Sequence, residues 1–307
     1  MKDKYLGIDI GGTQIKLGLV SSEGEILSRC KVNVDRSGEE AVMDTVKRAV
    51  REFCGSESVD IKSLGGIGIS APGSIDKAGG RVAVNGGNVP GWSGTEVCGP
   101  LESEFGIPVT MANDANCAVL GEAWTGAARG CTDVVCVTIG TGVGGGIISG
   151  GKLVEGIRGF GGEIGHFPTH AGDGELCACG RRGCYERYAS TAALLRKAVE
   201  IDPSWDSGHR FFDAVDAGNE DAHRLLDGWL DEISYGLEGL IQLFNPQVLL
   251  LGGGVSARDD VIIKPLRERV TKSVIVDFTD GLDLRAAALG NDAGLLGAVR
   301  YLIENER

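Results

Sequence analysis

The stretch DIGGTQIK, residues Asp9 to Lys16, decides the fold of this chain. It joins two short apolar runs, Lys4 to Ile10 and Ile15 to Val20. Short apolar runs separated by a glycine turn are typical of a β-hairpin, here with Gly11-Gly12-Thr13 at its tip. The sequence therefore predicts that the chain opens with a hairpin whose turn is free of bulky side chains.

Such a turn can bind phosphate. Glycine lets backbone amides approach phosphate oxygens because no Cβ stands in the way. Thr13 adds a hydroxyl donor, Lys16 adds a positive charge, and Asp9 can hold Mg²⁺ through water. No G-x-x-x-x-G-K-[ST] motif occurs, so the chain is not a P-loop protein.

The pattern restarts in the second half of the chain. Asp133 to Ile139 predicts a strand, Gly140-Thr141-Gly142 a turn, and Gly146 to Ser149 the return strand. The same order of strand, glycine turn and strand indicates an internal duplication, with two α/β halves that face each other.

The second turn also satisfies G-x-G-x-x-G, the fingerprint of dinucleotide-binding proteins. That motif must open a helix, because the helix N-terminus holds the pyrophosphate. The following residues, Gly146 to Gly151, are β-prone and end in glycines. The dehydrogenase interpretation is therefore disfavoured.

Other segments complete a mixed α/β pattern. Strands are predicted at 26–34, 64–70, 108–112 and 248–251, and helices at 41–54, from 113 to about 124, from 190, at 222–245 and at 292–304.

Composition narrows the class of protein. The 307 residues carry a formal net charge of −13, which argues against nucleic acid as a partner. No apolar stretch approaches the ~20 residues that span a bilayer, and no signal peptide opens the chain. Nine cysteines, an odd number, fit a reducing compartment better than a disulfide framework. We expect a cytoplasmic protein without a membrane partner.

A cysteine-rich segment predicts a metal site. His166, Cys177, Cys179 and Cys184 form a Cys₃His set with the spacing H-x₁₀-C-x-C-x₄-C. Four nitrogen and sulfur ligands with no open position are typical of structural Zn²⁺. His170 lies four residues after His166 and is an alternative fourth ligand.

At this point the motifs resemble those of the ROK family of sugar kinases and repressors, within the actin and hexokinase superfamily. The resemblance rests on DIGGTQIK, SAPGSID, GNVPGW, NDANCA, TIGTGVGGG, GGEIGH, CACGRRGCYE, LLLGGG and GNDAGLLGA, which follow in family order. The pairing of E-x-G-H with C-x-C-G-x-x-G-C-x-E is the most specific of these.

The resemblance implies a two-domain actin-like, ribonuclease-H-like ATPase fold with an interdomain cleft. It places a small α/β domain in residues 1–118 plus the C-terminal helix from about 292 to 307. A large α/β domain with the zinc-binding loop would occupy residues 119–291.

The resemblance also implies roles for individual residues. Asp114 would be the catalytic base. Sugar contacts would come from Gly73, Asn88, Asn113, Asp114, Glu163, His166 and Glu186. Contacts to ATP and Mg²⁺ would come from Asp9, Gly11, Gly12, Thr13, Lys16, Thr138, Gly140, Thr141, Gly142, Gly144, Gly252, Gly253 and Gly254. Zinc would brace the loop that carries Glu163 and Glu186.

The implied activity is transfer of the γ-phosphate of ATP to a hexose hydroxyl, with glucose as the first choice. N-acetylglucosamine, N-acetylmannosamine, fructose, mannose and allose remain alternative substrates. A repressor would need a DNA-binding segment ahead of Asp9, where only eight residues stand. A non-catalytic sugar-responsive protein would be expected to lack Asp114 or a glycine turn, and both are present. The family suggests a homodimer or homotetramer.

Overall fold

The computed structural model describes residues 2–35, 41–84, 89 and 91–305. They form two compact units. The first unit draws on Met1–Gly130, Leu153–Gly162 and Ala288–Arg307. The second draws on Cys131–Lys152 and Glu163–Ala287.

The first unit is built on a five-stranded sheet. Its strands are β1 (Lys4–Ile10), β2 (Gln14–Ser21), β3 (Ile26–Asn33), β4 (Ile67–Ala71) and β7 (Val109–Asn113), with a separate hairpin of β5 (Ser74–Asp76) and β6 (Arg81–Val84). Its helices are α1 (Val42–Ser56), α2 (Cys98–Phe105), α3 (Asp114–Trp124) and α9 (Ala293–Asn305). The sheet order is β3-β2-β1-β4-β7, with β1 antiparallel to β2 and parallel to β4.

The second unit repeats this plan. Its strands are β8 (Val134–Ile139), β9 (Val143–Ser149), β10 (Lys152–Leu153), β11 (Val248–Gly252) and β12 (Asp283–Ala286). Its helices are α4 (Glu186–Ala189), α5 (Thr191–Ile201), α6 (Gly208–Asp216), α7 (Glu220–Phe244) and α8 (Lys264–Ser273). The order β10-β9-β8-β11-β12 has β8 antiparallel to β9 and parallel to β11. The predicted duplication is confirmed, because both sheets pair a hairpin with parallel strands in the same order.

Strand alternation explains how the first unit is layered. Leu6, Ile8 and Ile10 of β1 are buried in a core that includes the apolar face of α1. The intervening residues face α9, and a Cβ on Gly7 would lie 2.9 Å from Leu295. The same alternation places Asp9 on the α9 side of the sheet.

Small residues bring α9 close to its neighbours. A Cβ on Gly297 would lie 1.7 Å from the Cys117 carbonyl oxygen of α3, and one on Gly68 would lie 2.2 Å from that of Ala298. Because these approaches leave no room for a side chain, α3 and α9 pack directly on each other. This packing keeps all of α3 in the first unit. The first unit differs from the predicted small domain, because it continues past residue 118 to Gly130 and also includes Leu153–Gly162.

Local signals account for several helix ends. The Asn219 side chain accepts hydrogen bonds from the amides of Asp221 and Ala222 at the start of α7, and Asn245 ends the helix in the left-handed conformation. All strands and helices predicted from the sequence are present, with bounds shifted by a few residues. The elements β5, β6, β10, β12, α2, α4, α6 and α8 were not predicted. No helix in the described ranges combines the length and apolar character needed to cross a bilayer.

Candidate functional site

The Asp9 carboxylate lies near the end of β1, beside the first glycine turn. Its Oδ2 accepts a hydrogen bond from Lys16 Nζ at 3.0 Å, and its Oδ1 accepts one from Ser70 Oγ at 2.8 Å. The turn itself is closed by the Gly11 amide, which donates to the Gln14 carbonyl at 2.9 Å. Asp9 is thus fixed by two donors while Thr13 at the tip stays exposed.

Ser70 was missed by sequence reasoning. In the parallel pairing of β1 with β4 it stands directly beside Asp9, and it is completely buried. Only the pairing of strands 61 positions apart reveals it. The available sequence signal was the position of Ser70 at the end of a predicted strand, just before Ala71-Pro72-Gly73.

The Asp9 site fits Mg²⁺ bound through water. Carboxylate oxygens are the ligands that Mg²⁺ prefers, and each carboxylate offers about four acceptor positions, of which Ser70 and Lys16 use two. A Cβ on Gly294 would lie 2.9 Å from Asp9 Oδ1, so the start of α9 borders the carboxylate closely. The backbone here leaves space only because Gly294 has no side chain.

Asp114 is exposed at the first residue of α3. Asn113 caps the helix, since its Oδ1 accepts from the amides of Ala115 and Asn116 at 2.9 and 3.2 Å. The Asn113 Nδ2 donates to the Gly73 carbonyl at 3.0 Å. Asn113 is thereby fixed on both sides, and the helix N-terminus favours a negative charge on Asp114.

The buried thiol of Cys117 is affected by the carboxylates of Asp9 and Asp114. Burial raises the pKa of Cys117 well above its usual range, and the charges of Asp9 and Asp114 raise it further. A hydrogen bond with Ser70 acts in the opposite direction. Asp9 and Asp114 therefore both lie near enough to Cys117 for their charges to act on its thiol.

The second glycine turn is fixed by three hydrogen bonds. The Gly140 amide donates to the Gly142 carbonyl at 2.9 Å, and the Gly140 carbonyl accepts from the Thr191 amide at the start of α5 at 2.9 Å. The Val143 amide donates to Glu186 Oε2 at 3.1 Å. The turn leads into strand β9, not a helix, so it does not have the geometry of a dinucleotide fingerprint.

Glycine is required at the end of β11, whereas in this turn a larger residue would displace the Glu186 side chain. A Cβ on Gly142 would lie 2.3 Å from Glu186 Oε2. Gly253 has φ +92°, and its Cβ would lie 2.0 Å from the Ile139 carbonyl oxygen. Gly252 packs against Thr138, with 3.2 Å between its Cβ position and Thr138 Cγ2. The end of β11 therefore lies beside the strand that enters the second turn.

The predicted metal ligands come together. One donor atom from each of His166, Cys177, Cys179 and Cys184 lies within 4.8 Å of all the others. Cys177 Sγ is 3.7 Å from His166 Nδ1, and Cys179 Sγ is 3.6 Å from Cys184 Sγ. Ligands of tetrahedral zinc with bonds of 2.0–2.3 Å stand about 3.5–3.8 Å apart, so these spacings fit Zn²⁺.

The alternative ligand His170 lies elsewhere. Its ring stacks on Tyr188 with centroids 3.8 Å apart, and its Nε2 is 3.5 Å from Glu232 Oε2. His166 therefore completes the cluster. Its Nδ1 faces the cysteines, so Nε2 is the nitrogen that remains for another partner.

Burial of the cysteine side chains affects their protonation. It raises the pKa of the Cys184 thiol to about 12, so this sulfur stays protonated at neutral pH unless a cation stabilises the thiolate. Cys177 shows a shift in the same direction, again led by burial. A donor set of this chemistry is suited to a bound divalent ion.

The predicted residues thus lie in two groups. The first unit holds Asp9, the Gly11–Thr13 turn, Lys16, Gly73, Asn113 and Asp114. The second holds Thr138, the Gly140–Gly144 turn, Glu163, His166, the cysteines, Glu186 and Gly252–Gly254. Glu163 is exposed just before the short helix that ends at His166. Asn88 lies outside the described residues, so its predicted sugar contact stays a prediction.

Comparison with known proteins gives a consistent result. A model of the ROK family matches residues 5–305. A glucokinase of Thermotoga maritima is 35% identical, over 99% of this chain and 98% of its own length. A beta-glucoside kinase of Listeria monocytogenes is 33% identical, over 99% of this chain and 98% of its own length.

This chain is also similar to a solved structure of a ROK family protein. The ROK family glucokinase from Streptomyces griseus, in complex with glucose and AMPPNP, is 33% identical to this chain. The two superpose with a TM-score of 0.81, over 98% of this chain and 100% of the other.

Proposed function

This chain belongs to the ROK family, and we propose that it is an ATP-dependent kinase that phosphorylates glucose to glucose 6-phosphate. The chain has the actin-like ATPase fold that the resemblance implied. The observation that carries the proposal is that an exposed carboxylate, Asp114, begins α3 in the same unit as the Asp9 turn. A base and a phosphate-binding turn are the two parts that sugar phosphorylation needs.

Asp114 is proposed as the base. Its carboxylate would accept the proton of the attacking hydroxyl as the phosphoryl group leaves ATP. The hydrogen bonds of Asn113 to Gly73 and to the start of α3 support this role, because they fix the backbone that carries the base. A base held in place needs no reorganisation during the reaction.

The two glycine turns are proposed to hold the phosphates of ATP. Their backbone amides, the hydroxyls of Thr13 and Thr141, and Lys16 are suitable donors to phosphate oxygens. Asp9 would hold Mg²⁺ through water, and this ion would neutralise charge on the phosphates. The glycines from Gly252 to Gly254 are proposed to border the adenosine.

Sugar selection is proposed to depend on geometry. Ring hydroxyls differ little in pKa, so an enzyme distinguishes them by hydrogen bonds that orient the ring. Asn113, Glu163, Glu186 and the Nε2 of His166 are the proposed partners of these hydroxyls. Bound zinc would restrain the loop from His166 to Glu186, and chain residues alone would contact the sugar.

A cytoplasmic location and a homodimer or homotetramer belong to the same proposal, on the basis of the family.

The activity is tested by a coupled assay of ATP consumption over a panel of hexoses. We expect the highest kcat/KM for glucose. If kcat/KM is higher for N-acetylglucosamine, N-acetylmannosamine or fructose than for glucose, that sugar is the substrate instead. Inactivity toward every hexose would refute the proposal that the protein is a sugar kinase.

A further inference from the structure

The segment before Glu163 forms a closed loop of the first unit. The Gly161 amide donates to the Glu155 carbonyl at 2.7 Å, which closes residues 155–161 on themselves. Gly156 and Gly159 adopt positive φ angles of 68° and 83° within it. These contacts give the loop a defined shape before the chain continues to Glu163.

Glu155 fastens this loop to the first unit. Its Oε1 accepts a hydrogen bond from the Tyr301 hydroxyl of α9 at 2.6 Å, and its Oε2 accepts one from Lys77 Nζ at 2.8 Å. Tyr301 is 3% exposed, and burial, followed by the bond to Glu155, raises its pKa, so the hydroxyl stays protonated and donates. Lys77 also lies 5.2 Å from the centre of the Tyr301 ring.

The loop backbone makes a second attachment. A Cβ on Gly159 would lie 2.8 Å from the Ile75 carbonyl oxygen of β5, so the loop rests directly on this strand. Glycine is needed here both for the close approach and for the left-handed conformation. The loop is therefore attached to the first unit at two points, Glu155 and Gly159.

The loop also borders the residues that carry the proposed base. A small pocket with room for about one water molecule is lined by Asn113, Asn116, Glu155 and Gly159, together with Lys77 and Tyr301. Asn116 is 3% exposed, and its Oδ1 has no hydrogen-bond partner within the described part of the chain. A water in the pocket would satisfy this oxygen and connect α3 with the loop.

We propose that Glu155 is a positioning residue for the sugar: it holds the loop at one place beside Asn113, so that the chain enters Glu163 from a fixed point. Glu163 follows the loop after a single residue, Gly162. This inference rests on the proposed function, because it assigns Glu155 an effect on the sugar through Glu163. Glu155 itself does not contact the substrate.

The test compares Glu155→Gln and Tyr301→Phe with wild-type enzyme. Each variant removes part of the attachment. Glu155→Gln removes the negative charge that Lys77 neutralises, and Tyr301→Phe removes the hydroxyl that donates to Glu155. We expect the KM for glucose to rise between about threefold and thirtyfold, the usual range for residues that act through a neighbour. The KM for ATP and kcat at saturating glucose are expected to stay within about twofold, because neither turn nor base is changed.

Glu104→Gln is the matched control. Glu104 pairs with Arg51 in the same unit and has a similar side-chain exposure, 30% against 24% for Glu155. Its glucose KM is expected to equal that of wild type. The double variant of Glu155 and Tyr301 is expected to have nearly the glucose KM of a single variant, since both changes break one attachment.

Several results would overturn the inference. The inference is wrong if both variants keep the glucose KM of wild type, whether or not their Tm is lower. It is also wrong if the variants lose kcat while the glucose KM stays unchanged. If Glu155→Gln does not fold, Tyr301→Phe decides on the same readouts. An inactive wild type refutes the proposed function and this inference with it, whereas an active wild type with unaffected variants refutes this inference alone.

Discussion

Glu186 Oε2 accepts a hydrogen bond from the Val143 amide at 3.1 Å, while Oε1 of the same carboxylate lies 3.9 Å from Cys177 Sγ. One side chain thus connects the second glycine turn with the cysteine cluster. The resemblance implies only a sugar contact for Glu186. The structure shows in addition that Glu186 joins the cysteine cluster to the second glycine turn within the second unit.

Replacing Asp114 with Asn tests the base. The amide keeps the shape of the side chain but cannot accept a proton, so kcat is expected to fall about 10²- to 10⁴-fold while glucose still binds. The coupled assay measures kcat, and calorimetric titration measures glucose binding. Asp44→Asn is the control, because Asp44 is also exposed in the first turn of a helix. Turnover of Asp114→Asn within tenfold of wild type, as an approximate bound, would remove Asp114 as the base.

Lys16→Met tests the first turn. The variant loses a charge beside the Asp9 carboxylate, and the KM for ATP is expected to rise about tenfold or more. The KM for glucose is expected to change little. Lys31→Met is the control, since Lys31 pairs with Lys16 across β2 and β3 but is exposed. Equal ATP affinities in the two variants would contradict a phosphate contact by Lys16.

The cysteine cluster predicts bound zinc. Elemental analysis of the purified protein is expected to give about one zinc per chain. Cys179→Ser is expected to lose the metal and to lower Tm, because a structural metal stabilises the folded state. Cys131→Ser, a single cysteine outside the cluster, is expected to keep both. A metal-free wild type as stable as the metal-loaded protein would refute the site.

Two neighbouring glycines give a stability test. Gly253→Ala places a Cβ 2.0 Å from the Ile139 carbonyl oxygen at φ +92°, whereas a Cβ on Gly254 meets nothing within 4 Å. Strain of this kind costs about 1–3 kcal/mol or more, so Tm of Gly253→Ala is expected to fall by at least about 3 °C. Gly254→Ala is expected to melt near wild type. Equal melting temperatures, measured by calorimetry, would show that β11 does not approach Ile139 this closely.

The sequence alone determined the features that depend on neighbours in the chain. Both hairpins, the Cys₃His spacing and the strand-to-helix junction at Asn113 and Asp114 were predicted, because glycine turns, cysteine spacing and helix caps are local signals. The short elements were missed since a strand such as β5, with three residues, carries too little periodicity.

Only the tertiary structure decided the contacts between distant segments. Ser70 reaches Asp9 because β1 and β4 pair in one register, and Glu155 meets Tyr301 across 146 positions because α9 packs on the first unit. The choice of His166 over His170 depended on where the loop folds back. Strand register and helix packing arise from burial of the whole unit, and no local pattern specifies them.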